Sequence, residues 1–582
     1  MKYRLGLVIL LLGSVAACAI QDSKPAAQSY SPAASQEQVP DEKPETAAEV
    51  DDALTQPLSK EMMYDILLAE IAGQRGVLDV SVPYYLRAAE QAEDPRVAER
   101  AVQIAMYAKE FDVAKRAARR WVALDSENPE AHKLLTALAL RTGDMDEVVA
   151  QMGYLLSITE QPQDGYRLAT AILARNADKL AALTAMEQLV ANNPDSPYAQ
   201  MALSRTAILA DQLEQSLEAV NSALALQPGL DEALILKAQI LVSMQRKDEA
   251  LVLMREATTS YPQNLDMHFA YARLLLDAED LEGAREQFSQ VVRREPDNVD
   301  ALYSLGLLEL EVGRYRAGEK HLRKLLSLKQ REQSAYYYLG YAADKQGKDA
   351  QAVEWYRKVD SGDFLSQAQL HAAEIMVRQG RMEAMQEYLL ELRRENPEKS
   401  VDFVLIEGQV LSDAGYLEEA SAVYGRGLDA DADNEDLRYA RALVAQKQGQ
   451  LDLAERDMRH ILANDPDNIR TLNALGYTLA DQTDRYQEAL GYVSRAYQQK
   501  PDDPAIIDSM GWVNFRLGNL TEARRYLEQA WEMTGDSEIG AHLGEVLWAL
   551  GEYEAARRIW AEAKAEDPNN PVLLDVLERI SP

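Results

Sequence analysis

Cys18 is the only cysteine among 582 residues, so the chain can form no internal disulfide. The six histidines, His132, His268, His321, His371, His460 and His542, are widely separated. None forms the His-Glu-x-x-His pair of a zinc hydrolase. A Gly-x4-Gly-Lys phosphate loop and a Gly-x-Ser-x-Gly nucleophile elbow are also missing. Asp429-Ala-Asp431-Ala-Asp433-Asn434 begins like a calcium loop. It has Asn434 where the sharp turn needs glycine and Ala440 where a bidentate glutamate is needed, so a turn is expected there. These absences point to no metal, no cofactor and no enzyme, with a site of unrecognised type as the open alternative. Positive charge is scarce too: 61 basic residues face 95 acidic ones, a net charge of −34. Such a field repels nucleic acid and anionic lipid surfaces.

What is present is a period. Pro194, Pro228, Pro262 and Pro296 are spaced 34 residues apart, and Pro95, Pro129, Pro162, Pro397, Pro466, Pro501 and Pro568 lie near the same lattice. Each proline is expected to end a second helix, since it has no N–H and biases its predecessor away from helical backbone. Gly306, Gly340, Gly408, Gly476, Gly511 and Gly544 mark a second lattice inside first helices, where a missing side chain admits the partner helix. A third lattice, Gly313, Gly347, Gly380, Gly415, Gly449, Gly518 and Gly551, is placed for left-handed helix stops.

The period and the pattern Leu302, Leu305-Gly306, Leu322, Leu325, with Gln330 in the proline slot, resemble the tetratricopeptide family. The resemblance implies an all-α solenoid of about 15 helix-turn-helix pairs over residues 59–568 and a capping helix over 569–582. Arg438 and Arg441 stand where Leu302 and Leu305 stand earlier, so the 433–466 pair is expected in a shifted register. Val359–Leu365 lacks the closing proline and is expected to mark a bend. Arginine pairs at 119–120, 293–294, 393–394, 524–525 and 557–558 are expected late in second helices, beside the negative end of the macrodipole.

The first 58 residues read differently. Lys2 and Arg4 precede an apolar run from Leu5 to Ala17, too short to span a bilayer, as in a secretory signal over 1–17. Val15-Ala16-Ala17-Cys18 resembles the bacterial lipobox, which implies acylation of Cys18. Ala19 in place of aspartate resembles the sorting signal for the outer membrane, with the chain facing the periplasm. Residues 18–58 have too few large apolar side chains to fold and are expected to form a tether. Its mean span is about 35 Å by the flexible-chain estimate.

In tetratricopeptide proteins, positions two, five, nine, twelve and thirteen look inward. Carried onto this chain, those slots hold Tyr303, Tyr337, Tyr341, Tyr477, Trp512, Phe515 and Trp548. Aromatics of this size anchor protein interfaces, while packing between repeats is the alternative for each. No lysine is followed four residues later by asparagine, which sets aside the carboxylate clamp of the chaperone-binding relatives. The runs 475–489 and 501–518 are similar to large outer-membrane tetratricopeptide lipoproteins of gammaproteobacteria. That family includes the adaptor that activates a periplasmic carboxy-terminal processing protease and presents peptidoglycan hydrolases to it. The resemblance implies a lipid-anchored scaffold with such partners, and a scaffold for exopolysaccharide export or envelope assembly stays open.

Overall fold

The computed structural model describes residues 59–175 and 178–580. Cys18, the 1–17 signal and the 18–58 tether lie outside the described residues. Within them the chain is all α-helix apart from turns and one 3-10 turn at Pro397–Lys399. From Lys60–Gln74 to Tyr553–Glu566 the helices alternate as first and second members of antiparallel pairs, and Pro571–Ile580 follows alone. The chain forms two compact units that meet in sequence at Arg314 and Tyr315.

Local chemistry sets each boundary. Asn264, Asn298, Asn434 and Asn468 are N-caps whose side chains accept from the backbone N–H of Met267, Ala301, Leu437 and Thr471. An N-cap of this type stabilises a helix by about 1 kcal/mol. Second helices end at Leu226, Ser260 and Arg294, just before Pro228, Pro262 and Pro296. The N-terminal prolines do the opposite of what the lattice suggested: Pro95, Pro129 and Pro162 open first helices. Their fixed φ suits the first helical position, where no N–H partner is needed.

The left-handed stop recurs at the end of first helices, on glycine at Gly313 and Gly449 but on Lys109, Asp211, Gln245 and Glu279 at equivalent positions. Inside the pairs, a Cβ on Gly408 would lie 2.3 Å from the Tyr424 ring, and one on Gly544 would lie 2.0 Å from Trp560 Nε1. The glycines therefore admit large aromatics from the second helix.

The unit before Tyr315 is cored by small and aliphatic residues, such as Ala199, Ala202, Met186, Leu189 and Val190, with the rings of Tyr85, Trp121, Tyr166, Tyr271 and Phe288 among them. The unit after Arg314 buries rings as well, including Tyr338, Tyr356 and Phe403. Burying one such side chain contributes about 1.5–3 kcal/mol.

Two further expectations are corrected by the structure. The Arg438 repeat keeps its register, because Asn434 caps it 34 residues before Asn468 caps the next. The two arginines are accommodated by Asp457 on the paired helix Leu451–Asn464: Arg438 Nη1 donates at 3.0 Å, and Arg441 donates from Nε at 2.7 Å and Nη2 at 2.8 Å. Arg524-Arg525 and Arg557-Arg558 lie early, not late, in Leu520–Thr534 and Tyr553–Glu566. There they pair with Glu528, Glu552, Glu522 and Glu554. At 357–364 the preceding helix, Asp349–Tyr356, is only 8 residues long, and the buried Gln369 amide donates to the Val359 carbonyl at 2.7 Å.

Candidate functional site

Three of the seven inward-slot aromatics converge. Tyr477 on Ile469–Gln482 and Trp512 on Pro504–Arg516 meet His542 on Ser537–Ala549, all first helices of consecutive repeats, and Phe515 lies beside Trp512. The Trp512 ring stacks on the imidazole at 4.3 Å between centroids and lies 5.3 Å from Phe515. His542 is wholly buried. Its Nδ1 is 2.9 Å from Asp508 Oδ1, and its Nε2 is 3.5 Å from the Tyr477 hydroxyl, which donates to Glu538 Oε1 at 3.4 Å. With the ring protonated, both nitrogens donate, and one chain of contacts ties the three helices together.

The surroundings set the charge state. Burial by itself pushes the His542 imidazolium down, but contact with Asp508 and the nearby Glu538 and Glu545 outweigh it and raise its pKa above the ordinary value. Burial raises the Glu538 carboxyl above the usual range, and His542 opposes this in part. Burial, with Glu538 and Asp481 close by, also keeps the Tyr477 hydroxyl protonated far beyond its usual range. The Trp512 indole N–H is buried and has no hydrogen-bond partner among the described residues. Leaving such a donor without an acceptor costs about 1–3 kcal/mol.

The other inward-slot aromatics stand apart from this cluster. Tyr337 is buried against Phe364 at 4.8 Å, with Tyr338 and Tyr356 beside it. Tyr341 is half-buried with the Lys345 ammonium over its ring. Trp548 packs on Tyr553 and Trp560. Tyr303 belongs to the other unit and is half-buried on Val299–Glu311. Sequence reasoning missed Asp508, Glu538, Glu545 and His542. The three carboxylates had a signal available, since they occupy slots five, two and nine of their repeats. His542 did not, because it sits in slot six.

Asp431 to Asn434 is a turn between helices, closed by the Asn434 amide on Asp431 at 3.0 Å. Among the described residues no group of three or more His, Cys, Asp or Glu could hold a metal ion, and no helix is long and apolar enough to cross a membrane.

The alternating helix pairs and their recurring caps and stops define a helical repeat protein. Models of the tetratricopeptide repeat match residues 171–231, 241–307, 303–364, 439–504 and 514–580. The chain is 32% identical over 492 residues to the TPR repeat-containing protein PA4667 of Pseudomonas aeruginosa, covering 84% of this chain and 82% of that one. It is 27% identical over 149 residues to the type IV pilus assembly protein PilF of the same organism, covering 25% of this chain and 59% of that protein. Among solved structures, Naa15/Naa10 bound to HypK-THB aligns over 89% of this chain and 96% of its own at 14% identity and a TM-score of 0.35. The chain belongs to the tetratricopeptide-repeat proteins. Proteins of this family act as scaffolds that bind other proteins.

Proposed function

We propose that this protein is a non-catalytic, lipid-anchored scaffold that holds periplasmic proteins on the first-helix face of its repeats. The observation that carries the reading is the cluster of Tyr477, Trp512 and Phe515 with Asp508, Glu538 and Glu545, which joins interface-type aromatics to carboxylates. Its chemistry suits a basic protein segment, whose cations meet the carboxylates. Cys18 at the lipobox-like site would hold the scaffold at the outer membrane. The partners proposed are a carboxy-terminal processing protease and peptidoglycan hydrolases. Holding both raises their effective concentration without new contacts between them.

The test uses purified protease and hydrolase with and without the scaffold. Cleavage should accelerate in its presence and should weaken when Phe515→Ala removes the half-buried ring of the cluster. Equal cleavage rates with and without the scaffold would reject the adaptor role. A second reading, envelope assembly, is favoured by the similarity to PilF. Recovery of assembly or export subunits with the scaffold, and no protease, would favour that reading.

A further inference from the structure

The first helix, Lys60–Gln74, carries a stripe of large apolar side chains in water: Met63, Tyr64, Leu67 and Ile71 are 46%, 60%, 55% and 49% exposed. Solitary exposed apolar residues need no explanation, but a contiguous row along one helix does. Its register supplies one. Tyr64, Leu67 and Ile71 stand twelve, nine and five residues before the left-handed stop at Gly76. Counting back the same way from Asp211 gives Ala199, Ala202 and Thr206, and from Gln245 gives Ala233, Leu236 and Ile240. All six are buried. Ala199 and Ala202 pack with Leu189 and Val190 of the preceding pair, and Ala233 and Leu236 pack with Val220 and Ala223. The exposed stripe is therefore the stacking face of a repeat that has no repeat before it among the described residues. A repeat array needs a polar terminal face to stay single, and this one is apolar.

We infer that the stacking face of Lys60–Gln74 is a self-association site, covered by the same face of a second copy of this chain. Three observations favour that occupant. The stretch just before it, residues 46–58, carries Glu49, Asp51 and Asp52 and no cation, so like charge opposes its docking on a helix that bears Glu61, Asp65 and Glu70. An anionic lipid surface is disfavoured by the net charge of −34. The stripe is also self-complementary: a two-fold axis through Leu67 sets Met63 against Ile71 and Lys60 against Gln74, with no carboxylate opposite another carboxylate. The antiparallel helices then place opposite macrodipole ends together. Four side chains per copy make a small interface, so the dimer is weak and reversible. Its attraction is apolar and its repulsion is long-range charge, so added salt tightens it.

The test is a cysteine cross-link in the full-length chain in its native membrane, with wild type, whose one cysteine is Cys18, and Val252→Cys as controls. Leu67→Cys should give a disulfide-linked dimer under mild oxidation that neither control gives. In sedimentation of the purified full-length chain, Leu67→Lys should weaken association at least tenfold with helical content unchanged, and raising ionic strength should strengthen association of the wild type. No cross-link through residue 67, or equal cross-linking through residue 252, would overturn the inference. So would a wild type and a Leu67→Lys chain that sediment alike.

Discussion

At the C-terminal end of the repeats, Pro571–Ile580 lays Leu573 and Val576 onto Leu543, Val546 and Trp560, and Arg579 reaches Glu545 at 3.2 Å. At the N-terminal end no described residue does the equivalent work: Tyr64, Leu67 and Ile71 are exposed. The same helix-pair architecture is thus finished by an added helix at one end and left open at the other. The contrast shows that a repeat fold does not by itself specify its ends, since each end needs side chains chosen for solvent or for a cover.

The sharpest way to break the comparison is a matched truncation. Leu573→Ala should cost about 3 kcal/mol, as a buried leucine does, while Leu67→Ala should stay within about 0.5 kcal/mol. Denaturant titration checks both, and similar losses would mean that the N-terminal face is covered. Next in size, His542→Gln should destabilise the repeats around it by about 2 kcal/mol, because it removes a hydrogen-bonded cation facing Asp508 and Glu538. Hydrogen exchange should place the loss in 469–566 and leave the N-terminal pair unchanged.

The two ends should also answer to pH in opposite directions. The hydrogen bond from Arg87 holds Asp65 below the usual carboxylate range, and the hydrogen bond from Tyr85 does the same for Glu70. Their stabilisation is present above the ordinary values of 3.8 and 4.5 and is lost as pH falls through the depressed ones. His542 is raised, so its contribution is full below 6.5 and is lost as pH rises through its folded value. The raised Glu538 carboxyl acts in the same sense. Acid should therefore open the N-terminal pair first and alkali the 469–566 region first, as exchange rates across a pH series would report. The smallest expected effect is a gain: Gln245→Gly and Glu279→Gly relieve positive φ at non-glycine stops and should each stabilise by about 1 kcal/mol. Thermal melting checks the sign.

Much of this fold was legible beforehand. The prolines after Leu226, Ser260 and Arg294 and the glycines beneath Tyr424 and Trp560 act within one helix pair, so their spacing exposes them in a linear reading. Pro95, Pro129 and Pro162 misled because proline suits a helix start as well as the turn beyond a helix end, and only the flanking backbone decides. The site was half legible. Tyr477, Trp512 and Phe515 were found from their slots, but the imidazole that joins Tyr477 to Trp512 comes from slot six, outside the inward set. Arg438 and Arg441 looked like a flaw in the repeat, since the carboxylate that absorbs them stands on the paired helix.

The sequence alone determined that this chain winds into stacked helix pairs, because caps, stops and small residues act over a few residues and repeat with the chain. Only the tertiary structure decided which charges are buried in pairs, which aromatics share one cluster and which apolar face is left in water. Those outcomes depend on atoms brought within a few ångströms from helices far apart in sequence, where desolvation and contact, and not local propensity, set the energy.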